Sequence, residues 1–112
     1  MGESNAVFVG PDPEGLGDAL EAEGFDVTHV DGIADGAALE DAGIDAAELY
    51  VLTDVGQATS IPVAVDRAGE LHVVVYARES LPEFAKGQAD LLLDPALFEP
   101  ETVAEELTGT TR

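Results

Sequence analysis

The chain has no cysteine, and only four basic residues, Arg67, Arg78, Lys86 and Arg112, stand against 24 aspartates and glutamates. The first absence excludes disulfides, thiolate catalysis and cysteine-ligated zinc. The second excludes a basic patch, so neither direct nucleic-acid binding nor attraction to an anionic membrane is expected. Long apolar runs are missing as well. Nothing approaches the ~20 residues of a membrane span, and the opening MGESNAVFVG has no basic region ahead of its apolar run. These absences predict a soluble, cytoplasmic protein that makes no direct membrane insertion.

What is present is apolar patterning under a very acidic surface. A net charge of -20 on 112 residues strains a compact domain through self-repulsion. In molar salt the Debye length falls to about 3 Å and most of that repulsion is screened. A hydrophobic content of 46% argues against disorder. The composition therefore points to a folded protein of a salt-in halophile. The length suits one domain over residues 1–112, with a core from about 5 to 108 and loose ends.

Along the chain, short β-rich runs alternate with helical stretches. AVFV (6–9), FDVTHV (25–30), ELYVLT (48–53), LHVVVYA (71–77) and DLLL (90–93) read as strands. Helices are expected near 13–23, 34–43, 54–69, 79–88 and 100–107. Pro62 limits the third of these: either Ser60 caps a shorter helix with Pro62 in its first turn, or the helix kinks. Strand–helix alternation throughout calls for a five-stranded parallel sheet with right-handed crossovers, a Rossmann-like three-layer αβα domain.

The loop after the first strand reads GPDPEG (10–15), followed by Leu16 and Gly17. A dinucleotide-binding turn has the form G-x-G-x-x-G, whose middle glycine lets backbone N–H groups approach a pyrophosphate. Asp12 stands in that middle position. Asp12-Pro13-Glu14 is also a helix-start signature, in which the aspartate accepts first-turn N–H bonds. A carboxylate there fills the phosphate position and repels a dianion. Asp31 lies 21 residues beyond Gly10, close to the usual spacing (~20) of a ribose-binding acid. Asp12, Asp31 and Asp54 all follow strands and should gather at one sheet edge. Converging carboxylates are donors for a hard cation, but chance clustering among 24 acids accounts for them, and no metal ligand is assigned. His29 and His72 read as packed strand histidines. Thr59 and Ser60 have no nearby histidine to activate them, so no catalytic residue is assigned.

ALEDAGIDAAELYVLTD (38–54) and KGQADLLLDPALFEP (86–100) carry a family resemblance. With them the chain resembles the nucleotide-binding domain of regulators of potassium conductance, the TrkA N-terminal type of Rossmann fold. That resemblance implies the strand order 3-2-1-4-5 and a role in regulating potassium transport. It also implies NAD(H) or another adenine nucleotide as ligand, bound or vestigial. The candidate cofactor-binding set is then Gly10, Asp12, Gly15, Asp31, Thr53 and Asp54. The implied partners are a second copy, paired through about 79–107, and a membrane transporter or other protein.

PEGLGDALEAEGFDVTHVDG (13–32) is also similar to the receiver domains of response regulators. Asp54 would then follow the third strand at the phosphoacceptor position. The lysine position before a proline reads Asp94, and the acidic pair after the first strand is reduced to Asp12. Phosphotransfer needs a cation and a lysine against the developing charge. Strand order separates the two resemblances, 2-1-3-4-5 being the receiver order. A fragment of an NAD-dependent enzyme is the third reading, with no Tyr-Lys or His-Asp pair at suggestive spacing to support it.

Overall fold

The apolar run after Ser4 forms the centre of the sheet. In the computed structural model, which describes residues 4–111 with side chains to Gly109, β1 (Asn5–Val9) is flanked on both sides. It pairs in parallel with β2 (Asp26–Val30) and with β3 (Leu49–Leu52). β4 (His72–Tyr76) pairs with β3, and β5 (Leu91–Leu93) pairs with β4. The expected five-stranded parallel α/β sheet is therefore present, in the order 2-1-3-4-5.

That order corrects the expected 3-2-1-4-5, and burial gives the reason. All four residues of β3, LYVL, are buried, as an interior strand requires. β2, DVTHV, has no fully buried residue, with Asp26, Thr28 and His29 exposed. Placing β2 between two other strands would bury polar groups whose desolvation costs on the order of 1–3 kcal/mol each when unpaired. It belongs at the edge.

Alternate residues along the strands build two cores. Val7, Val9, Tyr50, Leu52, Val73 and Val75 face α2 (Gly36–Asp41), α3 (Ser60–Ala68) and α4 (Glu83–Lys86). Ala6, Phe8, Leu49, Val51, Val74 and Tyr76 face α1 (Leu16–Ala22) and α5 (Pro100–Thr111). Tyr50 donates to Ser60 Oγ at 2.6 Å, and Ser60 donates to the Gln57 carbonyl at 2.6 Å. Burial, opposed by the bond to Ser60, pushes the Tyr50 phenol up to about 12.

Several helix bounds differ from expectation. α1 starts at Leu16 rather than near 13, because Gly15 has φ 80° and a right-handed helix cannot run through it. Residues 12–15 instead form a turn closed by the Gly15 N–H on the Asp12 carbonyl, 3.3 Å. The 54–69 stretch splits into a 3₁₀ turn (Val55–Gln57) and α3, with Pro62 in the first helical turn, where an N–H has no intrahelical acceptor. The helix expected over 79–88 shrinks to Glu83–Lys86: Pro82 disfavours helical geometry at Leu81, and Gly87 closes the other end. α5 continues to Thr111, past the expected end at 107. Of the ends expected to be loose, residues 1–3 and 112 lie outside the described residues.

Candidate functional site

The chain leaves β1 upward and winds to either side, so the topological switch lies between β1 and β3, the place where open α/β sheets bind ligands. Two hollows open at the carboxyl edge there, one on each side of the β1–β3 pair.

The first hollow, about 300 Å³, is lined by Pro11–Glu14, Thr53, Tyr76–Glu79 and Pro95. Asp12 does not project freely into it. Its two carboxylate oxygens accept from the N–H groups of Leu16 (2.8 Å) and Gly17 (2.9 Å) at the start of α1. The carboxylate thus sits where a bound phosphate would meet those donors. Thr53 is fastened as well: its hydroxyl lies 2.6 Å from the Pro11 carbonyl, to which it donates, and 3.3 Å from that of Val9. The Thr53 N–H donates to Val9 O at 3.0 Å. Gly10, at φ 109°, lies beneath this crossing, and a Cβ there would collide with the Thr53 hydroxyl and come within 2.9 Å of the Asp54 nitrogen. The potential in the hollow is negative. Burial raises the Tyr76 phenol above its ordinary value, and the carboxylates of Glu14, Glu101, Asp12 and Glu99 raise it further. Its hydroxyl donates to the Phe98 carbonyl at 2.6 Å.

The second hollow, about 380 Å³, lies among Gly10, Val30, Asp31, Gly32, Asp54 and Gln57. Asp54 Oδ1 accepts the Gly56 N–H at 3.0 Å. Gln57 spans the floor, donating from Nε2 to Gly32 O (2.9 Å) and accepting the Ala34 N–H at Oε1 (2.7 Å).

The six candidate residues therefore share an edge but not a site. Asp12 and Thr53 belong to the first hollow, Gly10, Asp31 and Asp54 to the second, and Pro11 borders both. Gly15 only turns the chain into α1. Among the described residues no group of three or more His, Asp or Glu side chains is placed to hold a metal ion. The divalent cation that aspartyl phosphotransfer requires is not matched by these residues: Asp12 is committed to backbone donors, and Thr53 offers a hydroxyl already donating to the Pro11 carbonyl. His29, one residue from the end of β2, lies near this edge: it packs on Phe8, centroids 4.9 Å apart, and its imidazole borders Gly17 as the Asp12 carboxylate does. His72 Nδ1 is 3.9 Å from Asp90 at the opposite end of β4. Sequence reasoning missed Tyr76, Arg78 and Gln57; Arg78 follows β4 just as Asp31 and Thr53 follow their strands.

A five-stranded parallel sheet of order 2-1-3-4-5, with α1 and α5 on one face and α2–α4 on the other, is the flavodoxin-like fold, which receiver domains also have. Solved structures agree on the fold. An orphan response regulator of H. pylori is similar with TM-score 0.73 at 18% identity, over 100% of both chains. A structure described as an atypical orphan response regulator with a phosphorylation-independent regulatory mechanism gives 0.71 at 16%, over 96% of this chain and 95% of that one. A pilus assembly-related protein of Burkholderia pseudomallei gives 0.68 at 16%, over 97% and 90%. Residues 6–107 match the model of DUF7126, a family of unknown function, and the chain belongs to that family. No curated protein matches it in sequence.

These findings overturn the resemblance to the TrkA N-terminal domain, and with it the reading as a potassium-transport regulator that binds a nucleotide. The structural relatives are receiver-like, and the strand order is theirs. The misreading has a physical source. Both folds alternate strand and helix with a glycine turn after β1, so local patterning is the same and only the sheet order differs. Among the described residues no helix is long and apolar enough to cross a membrane.

Proposed function

We propose that the chain is a non-catalytic, receiver-like signalling module that works by protein contact rather than by phosphorylation, in the cytoplasm of a salt-in halophile. The single observation carrying this reading is the state of the first hollow. Thr53, and not a carboxylate, points into it from the end of β3, hydrogen-bonded to the loop after β1. Asp54, one residue on, turns to the other hollow and binds the Gly56 N–H. Asp12, which follows β1 ahead of α1, already accepts backbone bonds at both of its oxygens. Asp94 follows β5, where phosphotransfer would call for a cation. The likeness in fold to a regulator described as phosphorylation-independent supports the same view.

The module would then have one standing conformation, and its output would depend on who docks rather than on a covalent mark. The test is titration of the labelled protein in molar KCl with beryllofluoride and Mg²⁺, a phosphoryl analogue, following the amides of Gly10, Asp12, Thr53, Asp54 and Ala77. No saturable shift is expected. A saturable shift at Asp54 or Thr53 overturns the proposal.

A further inference from the structure

Ile33 stands in the loop between β2 and α2, at the opposite edge of the sheet from β5. With 78% of its surface open, it is the most exposed large apolar side chain among the described residues. A single apolar residue on a surface needs no explanation by itself. What sets Ile33 apart is how firmly its loop is held. The Gln57 side chain grips the backbone on both sides of it: Nε2 donates to Gly32 O at 2.9 Å, and Oε1 accepts the Ala34 N–H at 2.7 Å. Ala34 is buried, and Asp35 caps α2 by accepting the Ala38 N–H at 2.9 Å. The grip is rooted in the core, because the buried Tyr50 hydroxyl donates to Ser60 Oγ, which donates in turn to the Gln57 carbonyl. A chain of hydrogen bonds thus runs from β3 to the backbone on either side of one isoleucine and holds it outward. We infer that Ile33 is a preset anchor for another protein, received in an apolar recess of that partner whose rim carries Lys or Arg.

Shape and charge select that partner. A β-branched side chain on a fixed backbone has little freedom left to lose, so a recess that closes around it gains contact at small entropic cost. The charge beside it is of one sign. Asp31 and Asp35, two residues to either side, are both exposed, and Asp31 has no hydrogen-bond or ion-pair partner among the described residues. Arg67, whose guanidinium borders Gly36, is already paired with Glu40. A partner with Lys or Arg on its rim therefore meets open carboxylates. Another copy of this chain would press the same aspartates together, and molar salt does not relieve charges of like sign at contact. One side chain flanked by carboxylates is also no anchor for a bilayer, which takes a broad apolar face with basic flanks.

The inference rests on reading the chain as a contact module. Its test uses the labelled full chain in molar KCl and the blocked peptide Arg-Arg-Phe-Gly-Phe-Arg-Arg, whose two rings and outer guanidinium groups share one face when extended. Saturable amide shifts at Gly32, Ile33 and Ala34 are expected. Ile33→Ser should weaken binding about tenfold. Asp31→Asn with Asp35→Asn should weaken it about threefold, asparagine keeping the cap of α2. Gln57→Ala leaves the isoleucine in place but removes its grip; it should weaken binding about threefold and speed hydrogen exchange at the Ala34 amide. Leu92→Ser, at the other edge of the sheet, should change nothing. Equal binding of a peptide with Ser for both Phe, shifts spread over the whole acidic surface, an unaltered affinity in Gln57→Ala, or silence would overturn the inference. So would a sedimenting dimer that Ile33→Ser dissociates, since a second copy would then be the partner. A silent peptide leaves the phosphorylation-independent reading standing, whereas a beryllofluoride response at the first hollow defeats that reading without touching Ile33.

Discussion

The centre of the sheet and its β5 edge are finished to different standards. Around β1 and β3 every strand residue but Asn5 is buried, and the covering helices on both faces seat Leu16, Leu20, Leu39, Ile61 and Ala64 without exposure. Around β5 the strand has three residues, none fully buried, α4 is a single turn, and Leu92 and Leu97 are 51% and 76% exposed. The centre is closed on both faces, whereas the β5 edge leaves apolar side chains exposed.

Core truncation gives the largest expected contrast. Phe8→Ala should cost about 3–5 kcal/mol in denaturant unfolding in molar KCl, whereas Leu92→Ala should stay within about 0.5 kcal/mol. Comparable losses would erase the distinction between centre and edge. Next comes alkaline pH. Because the folded Tyr50 phenol is raised from 10.0 to about 12, its contribution is intact below pH 10 and is lost as pH rises through 12. Unfolding free energy should fall by about 2–3 kcal/mol across that window, and Tyr50→Phe should flatten the fall. The smallest effect is at the first hollow. Asp12→Ala removes both acceptors at the start of α1 and should destabilise by about 1–2 kcal/mol, with hydrogen exchange accelerating first in α1. A loss as large as that of Phe8→Ala would mean the carboxylate holds the core and not only the cap.

Much of this architecture was legible in the residues. The alternation of apolar runs and helical stretches gives five parallel strands, and Asp12 reads correctly as an acceptor for the start of α1. The strand order was legible too, in the polar Asp26, Thr28 and His29 of β2 and the unbroken LYVL of β3. A shared family pattern obscured it. Period-two alternation also sorts the site: Thr53 continues the row of Leu49 and Val51 toward the α1–α5 face, and Asp54 continues that of Tyr50 and Leu52 toward the other. What could not be read from local pattern is where loops meet. The bond from Thr53 to the Pro11 carbonyl joins segments 42 residues apart, and the reach of Gln57 to Gly32 spans 25. No periodicity encodes either.

The crossing of Gly10 under Thr53 has a consequence for any attempt to redesign this edge. Replacing Asp12 by glycine alone would vacate the anion seat yet leave the turn pinned from above by a hydroxyl that already claims its carbonyls. Giving residue 53 a carboxylate alone would set negative charge against those same oxygens. Each single step is worse than the starting point, so the passage from this knot to a working ligand loop runs through at least two coordinated changes, with residue 10 obliged to remain glycine throughout.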